Sequence, residues 1–100
     1  MTDGLKAKHR DALLAILASN TRVRRVVLFG SRAMGTFTST SDVDLVLLGD
    51  ELTLTDQADV AQAVEELSMP QQVDLLLHAS IKNENLLKHI REHGVVWLAR

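Results

Sequence analysis

Residues 30–45 read Gly30-Ser31-Arg32-Ala33-Met34-Gly35-Thr36-Phe37-Thr38-Ser39-Thr40-Ser41-Asp42-Val43-Asp44-Leu45, and the reading of this stretch decides the arrangement of the rest. An apolar run, Val26 to Phe29, leads into it, and a second apolar run begins at Val43. The pattern predicts a strand, a short helix or turn over Ser31–Gly35, a polar loop over Thr36–Thr40 and a returning strand. Strand side chains two apart share a face, so Asp42 and Asp44 are expected to project together. Like charges held that close repel unless a cation lies between them. Oxygen donors of this kind suit Mg²⁺, which keeps several waters and bridges protein carboxylates to phosphates. At the other end of the stretch, Gly30 lets backbone approach a ligand closely, and a helix opening at Ser31 aims N–H groups at an anion. Ser31 adds a hydroxyl and Arg32 a forked cation. One end of the segment therefore suits phosphate and the other a divalent metal, the two halves of a site for a metal-bound nucleoside triphosphate.

Working outward, Asp3 to Ser19 reads as a helix with Leu5, Ala12, Leu13, Ile16 and Leu17 at helical spacing, stopped near Asn20. The first strand spans about Arg25–Phe29 and the second Val43–Leu48, the latter apolar on both faces after Asp44 as a central strand would be. Thr53 with Asp56 resembles a capping box opening a helix to about Leu67, beyond which Pro70 blocks continuation. In Gln72–Leu77, Val73, Leu75 and Leu77 alternate with Gln72, Asp74 and Leu76. Asp74 thus leaves the buried face and can join Asp42 and Asp44 if the strands are neighbours. A last helix is expected from Ser80 or Asn83 to His93, stopped by a left-handed Gly94, then a short strand over Val95–Leu98.

One hundred residues suit one compact domain, 1–100, with a single core. No run is long enough to span a membrane, and Met1–Lys6 lacks the apolar core of a secretion signal. The chain has no cysteine, which excludes disulfides and thiolate metal sites and suits a reducing cytoplasm. Residues 1–35 carry seven Lys/Arg against two Asp/Glu, whereas residues 36–100 carry four against eleven. That asymmetry fits a phosphate-facing and a metal-facing side, or simply a polar face on each half. No basic stripe with interleaved aromatics is present, which argues against DNA or RNA as the main partner. Arg22, Arg24 and Arg25 read as solvated, with a triphosphate contact as the sharper alternative. His89 and His93 stand at zinc-binding spacing, but no third ligand accompanies them, so they read as surface histidines. His78 reads as a solvated edge residue, Trp97 as a core or interface anchor, and Met34 and Phe37 as loop residues that cover the core or touch a base.

Gly30-Ser31, ten intervening residues and Asp42-Val43-Asp44 resemble the signature of the polymerase-β-type nucleotidyltransferase superfamily. The longer string Gly30-Ser31-Arg32-Ala33, Gly35 and Ser41-Asp42-Val43-Asp44-Leu45 resembles its minimal bacterial and archaeal branch, whose members pair with a HEPN-type helical protein. That family carries a third carboxylate in a Val-Asp-Leu context, which Val73-Asp74-Leu75 matches. The resemblance implies an α+β fold: a small mixed sheet with helices mainly on one face. It implies that Asp42 and Asp44 bridge two Mg²⁺ ions, that Asp74 holds the catalytic one, and that Gly30, Ser31 and Arg32 hold the phosphates. The loop at Thr36–Thr40 lacks the Lys or Arg of many relatives, which places more of the phosphate neutralisation on Arg32, the metal and backbone N–H groups. ATP is the expected nucleotide, and the expected acceptor is a tyrosine of a HEPN-type toxin, with this chain as antitoxin. The alternatives are the catalytic subunit of a two-component small-molecule nucleotidyltransferase, or an antitoxin that acts by contact alone.

Overall fold

The computed structural model describes residues 3–100. In chain order the elements are α1 (Ala7–Ser19), β1 (Arg25–Phe29), α2 (Ser31–Met34), β2 (Val43–Leu48), α3 (Leu54–Glu65), β3 (Val73–Leu77), α4 (Glu84–His93) and β4 (Val95–Ala99). The strands form a mixed sheet in the order β3-β2-β1-β4. β1 is antiparallel to both β2 and β4, while β2 and β3 are parallel. Parallel neighbours need a long crossover, and α3 supplies it.

Alternation along the strands sorts the apolar side chains onto two faces. Val26 and Leu28 of β1, Val43, Leu45 and Leu47 of β2, and Leu75 and Leu77 of β3 meet Leu13 and Leu17 of α1 and Val60 and Val64 of α3. The opposite face is thinner: Val27, Phe29 and Val46 pack with Ile90 of α4, flanked by Leu76 and Leu86. Helices therefore lie mainly on one face, and Asp44 and Asp74 have the parity of the other.

Local signals set the helix starts. Thr53 accepts the Asp56 N–H while the Asp56 carboxylate accepts the Thr53 N–H, the reciprocal pair expected from the Thr53–Asp56 spacing. Asn20 and Arg22 also donate to Asp56, which ties the α1–β1 connection to the head of α3. Asn83 caps α4 through the N–H groups of Asn85 and Leu86.

Two expectations are corrected. α1 begins at Ala7 rather than Asp3, because Gly4 adopts a φ of 77° and the Asp3 carboxylate takes the Leu5 N–H and the Arg10 guanidinium. Gly94 is not left-handed: its φ is −63° and ψ 144°. It is glycine because a Cβ there would run into the Ile90 carbonyl and come within 2.5 Å of Val27 Cγ1, where α4 hands over to β4 against the sheet. Gly94→Ala is accordingly expected to cost about 1–3 kcal/mol in urea unfolding, the range for overpacking. An unchanged midpoint would show that the junction yields freely. Among the described residues no helix is long and apolar enough to cross a membrane.

Candidate active site

The parallel register of β2 and β3 places Asp44 beside Asp74, and the antiparallel register of β1 and β2 places it beside Phe29. Asp44 is thus flanked by an acid on one side and by the end of β1 on the other. Asp42 immediately precedes β2 and lies two residues from Asp44, on the same face. Asp44 and Asp74 stand side by side, and Asp42 is close enough for its charge to act on Asp44. Burial first, then the negative charges of Asp74 and Asp42 and a side-chain hydrogen bond with Asp74, pushes the Asp44 carboxyl above its usual range.

Such crowding is what a divalent cation relieves, and the donor atoms are all hard oxygens. Among the described residues no group of three or more histidines, cysteines or carboxylates is placed to hold a metal ion. Mg²⁺ does not need one, because it takes one or two carboxylates and completes its shell with water and substrate phosphates. The residues present therefore fit Mg²⁺ that arrives with a nucleotide.

Gly30 has a φ of 77°, and a Cβ on it would overlap the Asp44 carboxylate. A side chain there would be strained at that φ and would have to push the Asp44 carboxylate aside. The Gly30 carbonyl accepts from the N–H groups of Ala33 and Met34, which starts α2 with Ser31 as its first residue. Gly30 therefore stands against Asp44, with Ser31 the next residue along the chain.

Arg32 does not. Its side chain is 2% exposed. Nε donates to the Ser41 carbonyl, one terminal nitrogen to Asp3, and the other to Ser41 and Thr38. Phe37 covers the guanidinium, with its ring centre 5.0 Å away. The expectation that Arg32 helps to hold phosphate is corrected: its donors are committed to the Asp3 carbonyl and to the backbone of the loop that delivers Asp42. Phe37 is likewise a cover for this cation. Arg25 lies at the end of β1 remote from Gly30, and Arg22 pairs with Asp56 at 3.0 Å, so neither is near the acids.

His89 was expected on the surface, yet its Nε2 accepts the Gly30 N–H at 2.9 Å. Phe29 approaches the ring edge-on at 6.3 Å and His93 lies 5.4 Å away. Only the α4 spacing pointed to this residue, and spacing does not say which partner a helix face meets. His78 begins a single 3-10 turn after β3, at the end of that strand remote from Asp74.

The larger surface cavities lie elsewhere. One of about 460 Å³ opens between α1 and α3 near Asn20 and Asp59, and another of about 380 Å³ runs between β1 and α4 beside Val27 and Ile90. The acids sit on an open rim of the sheet.

A family model described as "Polymerase beta, Nucleotidyltransferase" matches residues 11–100. A Methanocaldococcus jannaschii protein named "Putative protein adenylyltransferase MJ1379" is 33% identical over 79 residues, covering 77% of this chain and 79% of that protein. Among solved structures, a chain of a toxin–antitoxin crystal structure with AMP-PNP superposes with a TM-score of 0.74 at 22% identity, covering 91% of this chain and 73% of that one. A chain from the complex of a tri-AMPylated Shewanella oneidensis HEPN toxin with MNT antitoxin gives 0.70 at 17% identity, covering 96% and 74%. At these identities the two structures share the fold with this chain.

Proposed function

Because the chain belongs to the polymerase β nucleotidyltransferase family and is a nucleotidyltransferase, we propose that it transfers AMP from ATP to a tyrosine hydroxyl of a HEPN-type helical protein and so acts as an antitoxin. The observation that carries this reading is the Asp44–Asp74 register, with Asp42 acting on Asp44 from two residues away and Gly30 directly against the Asp44 carboxylate. The toxin–antitoxin neighbours and the archaeal relative's name support the acceptor and the nucleotide.

In this reading the acceptor hydroxyl attacks the α-phosphorus of ATP, the bond to the β-phosphate oxygen breaks, and pyrophosphate leaves. Asp42 and Asp44 would hold two Mg²⁺ ions and Asp74 one of them. When bound, such a pair stabilises the attacking and leaving oxygens. Asp74 would also take the proton of the incoming hydroxyl. With the Gly30 N–H taken by His89, the β- and γ-phosphates would rest on the N–H groups at the start of α2 and on the Ser31 hydroxyl. Catalysis by this set is mainly positioning and charge stabilisation.

The open rim at the acids supports an acceptor that brings its own walls, as a folded protein partner does. Residues 1–100 then act as one minimal nucleotidyltransferase domain. Incubating the chain with a co-expressed HEPN-type partner, ATP and Mg²⁺ should raise the partner's mass by whole AMP units, localised to tyrosine by fragmentation. EDTA should abolish the shift. An unchanged partner mass, with neutralisation intact, would instead favour inhibition by contact alone.

A further inference from the structure

The His89–Gly30 contact joins α4 to the turn that faces Asp44. Gly30 is held from three sides. Its carbonyl starts α2, its α-carbon leaves no space before the Asp44 carboxylate, and its N–H is taken by His89 Nε2 at 2.9 Å. Nε2 must be the unprotonated nitrogen to accept, so the ring proton resides on Nδ1. The ring has little freedom to leave: Phe29 presents its face or edge at 6.3 Å and His93 stacks obliquely at 5.4 Å. β1 ends at Phe29, so its sheet ladder stops one residue short of Gly30. The last tie that fixes the peptide entering the turn is therefore a side chain from a helix 59 residues away in sequence.

We propose that His89 is a positioning residue: by accepting the Gly30 N–H it sets the Gly30–Ser31 turn against Asp44, and so couples α4 to the geometry of the reacting groups. This inference rests on the nucleotidyl-transfer reading for its kinetic consequence, but not for its structural one. Reacting groups displaced by about an ångström lose rate by factors of up to about a hundred, without a matching loss of ground-state binding. His89→Leu removes the acceptor while filling similar space. His89→Gln offers an amide oxygen where Nε2 stood.

The test measures AMP transfer to the HEPN-type partner at varied ATP, together with amide hydrogen exchange at Gly30 by NMR in the full chain. His89→Leu is expected to lower kcat by about tenfold or more with KM for ATP within about threefold, and to speed Gly30 exchange at least tenfold. His89→Gln is expected to recover most of both. Equal exchange at Gly30 in wild type and His89→Leu would overturn the proposal, as would a Gln variant no better than Leu. If His89→Leu proves unfolded by its melting curve, the Gln variant and the wild-type ring ¹⁵N shifts decide, because a protonated Nε2 excludes the bond. A wild-type chain that transfers no AMP would sink the functional reading alone, since the Gly30 exchange comparison needs no turnover.

Discussion

Replacing Asp44 by Asn is expected to abolish transfer and stabilise the fold. The activity loss should reach at least about 10²–10³-fold, the size associated with removing one preorganised charge-stabilising group. The gain in stability follows from the crowding: burial, then Asp74 and Asp42, raises the Asp44 carboxyl above its unfolded value. A folded-state pKa above the unfolded one means that the native state holds its proton longer. Native stability then falls as pH rises from the unfolded carboxylate range through the folded pKa. The uncharged amide avoids that fall, so the variant's advantage in melting temperature should be absent at low pH and full at neutral pH. Mg²⁺ with ATP should raise the melting temperature of the wild type more than that of Asp44→Asn, because ligand that binds only the native state stabilises it. A neutral-pH melting temperature lower in the variant than in the wild type would contradict the electrostatic account, whatever happens to activity.

Arg32→Met should be among the most destabilising single changes in the chain. The guanidinium satisfies the carbonyls of Asp3, Thr38 and Ser41 from a buried position. Truncation leaves these acceptors without their charged donor, at about 1–3 kcal/mol for each group that water fails to reach. A loss of about 3 kcal/mol or more is expected, corresponding to over about 10 °C in melting temperature for a chain of this length. Arg32→Lys should rescue little, since a compact ammonium does not reproduce a fork that reaches three carbonyls. Activity should fall because residues 36–41 loosen ahead of Asp42, with faster amide exchange in that loop as the signature. A melting curve equal to wild type, combined with a raised KM for ATP, would return Arg32 to the phosphates.

The sheet was legible because its signals are local. Alternation at Val73–Leu77 placed Asp74 off the main core face, and the run after Asp44 marked β2 as central. The Thr53–Asp56 box announced α3 from four residues. Its second use, as the acceptor for Asn20 and Arg22, was not visible, because it depends on how α1 docks. Arg32, His89 and Gly94 were misread for a common reason. Residue type supplied a generic preference (cation for phosphate, exposed imidazole, left-handed glycine), while the actual partner came from a distant segment. Arg100 is a further case: its guanidinium holds the carbonyls of Ala18, Asn20 and Val23, closing the C-terminal end of α1 from the other end of the chain. Nothing in the composition of either segment signals that meeting.

The strand order carries a consequence for biosynthesis. Residues 25–77 contain β1, β2 and β3 with all three acids, whereas β1's other neighbour, β4, is made only at residues 95–99. A nascent chain can therefore assemble the acidic rim while one flank of β1 still exposes unpaired amides and carbonyls. Such a flank is a template for wrong pairing. Its protection waits on residues 95–99, so a chain terminated within β4 should aggregate rather than be merely less active.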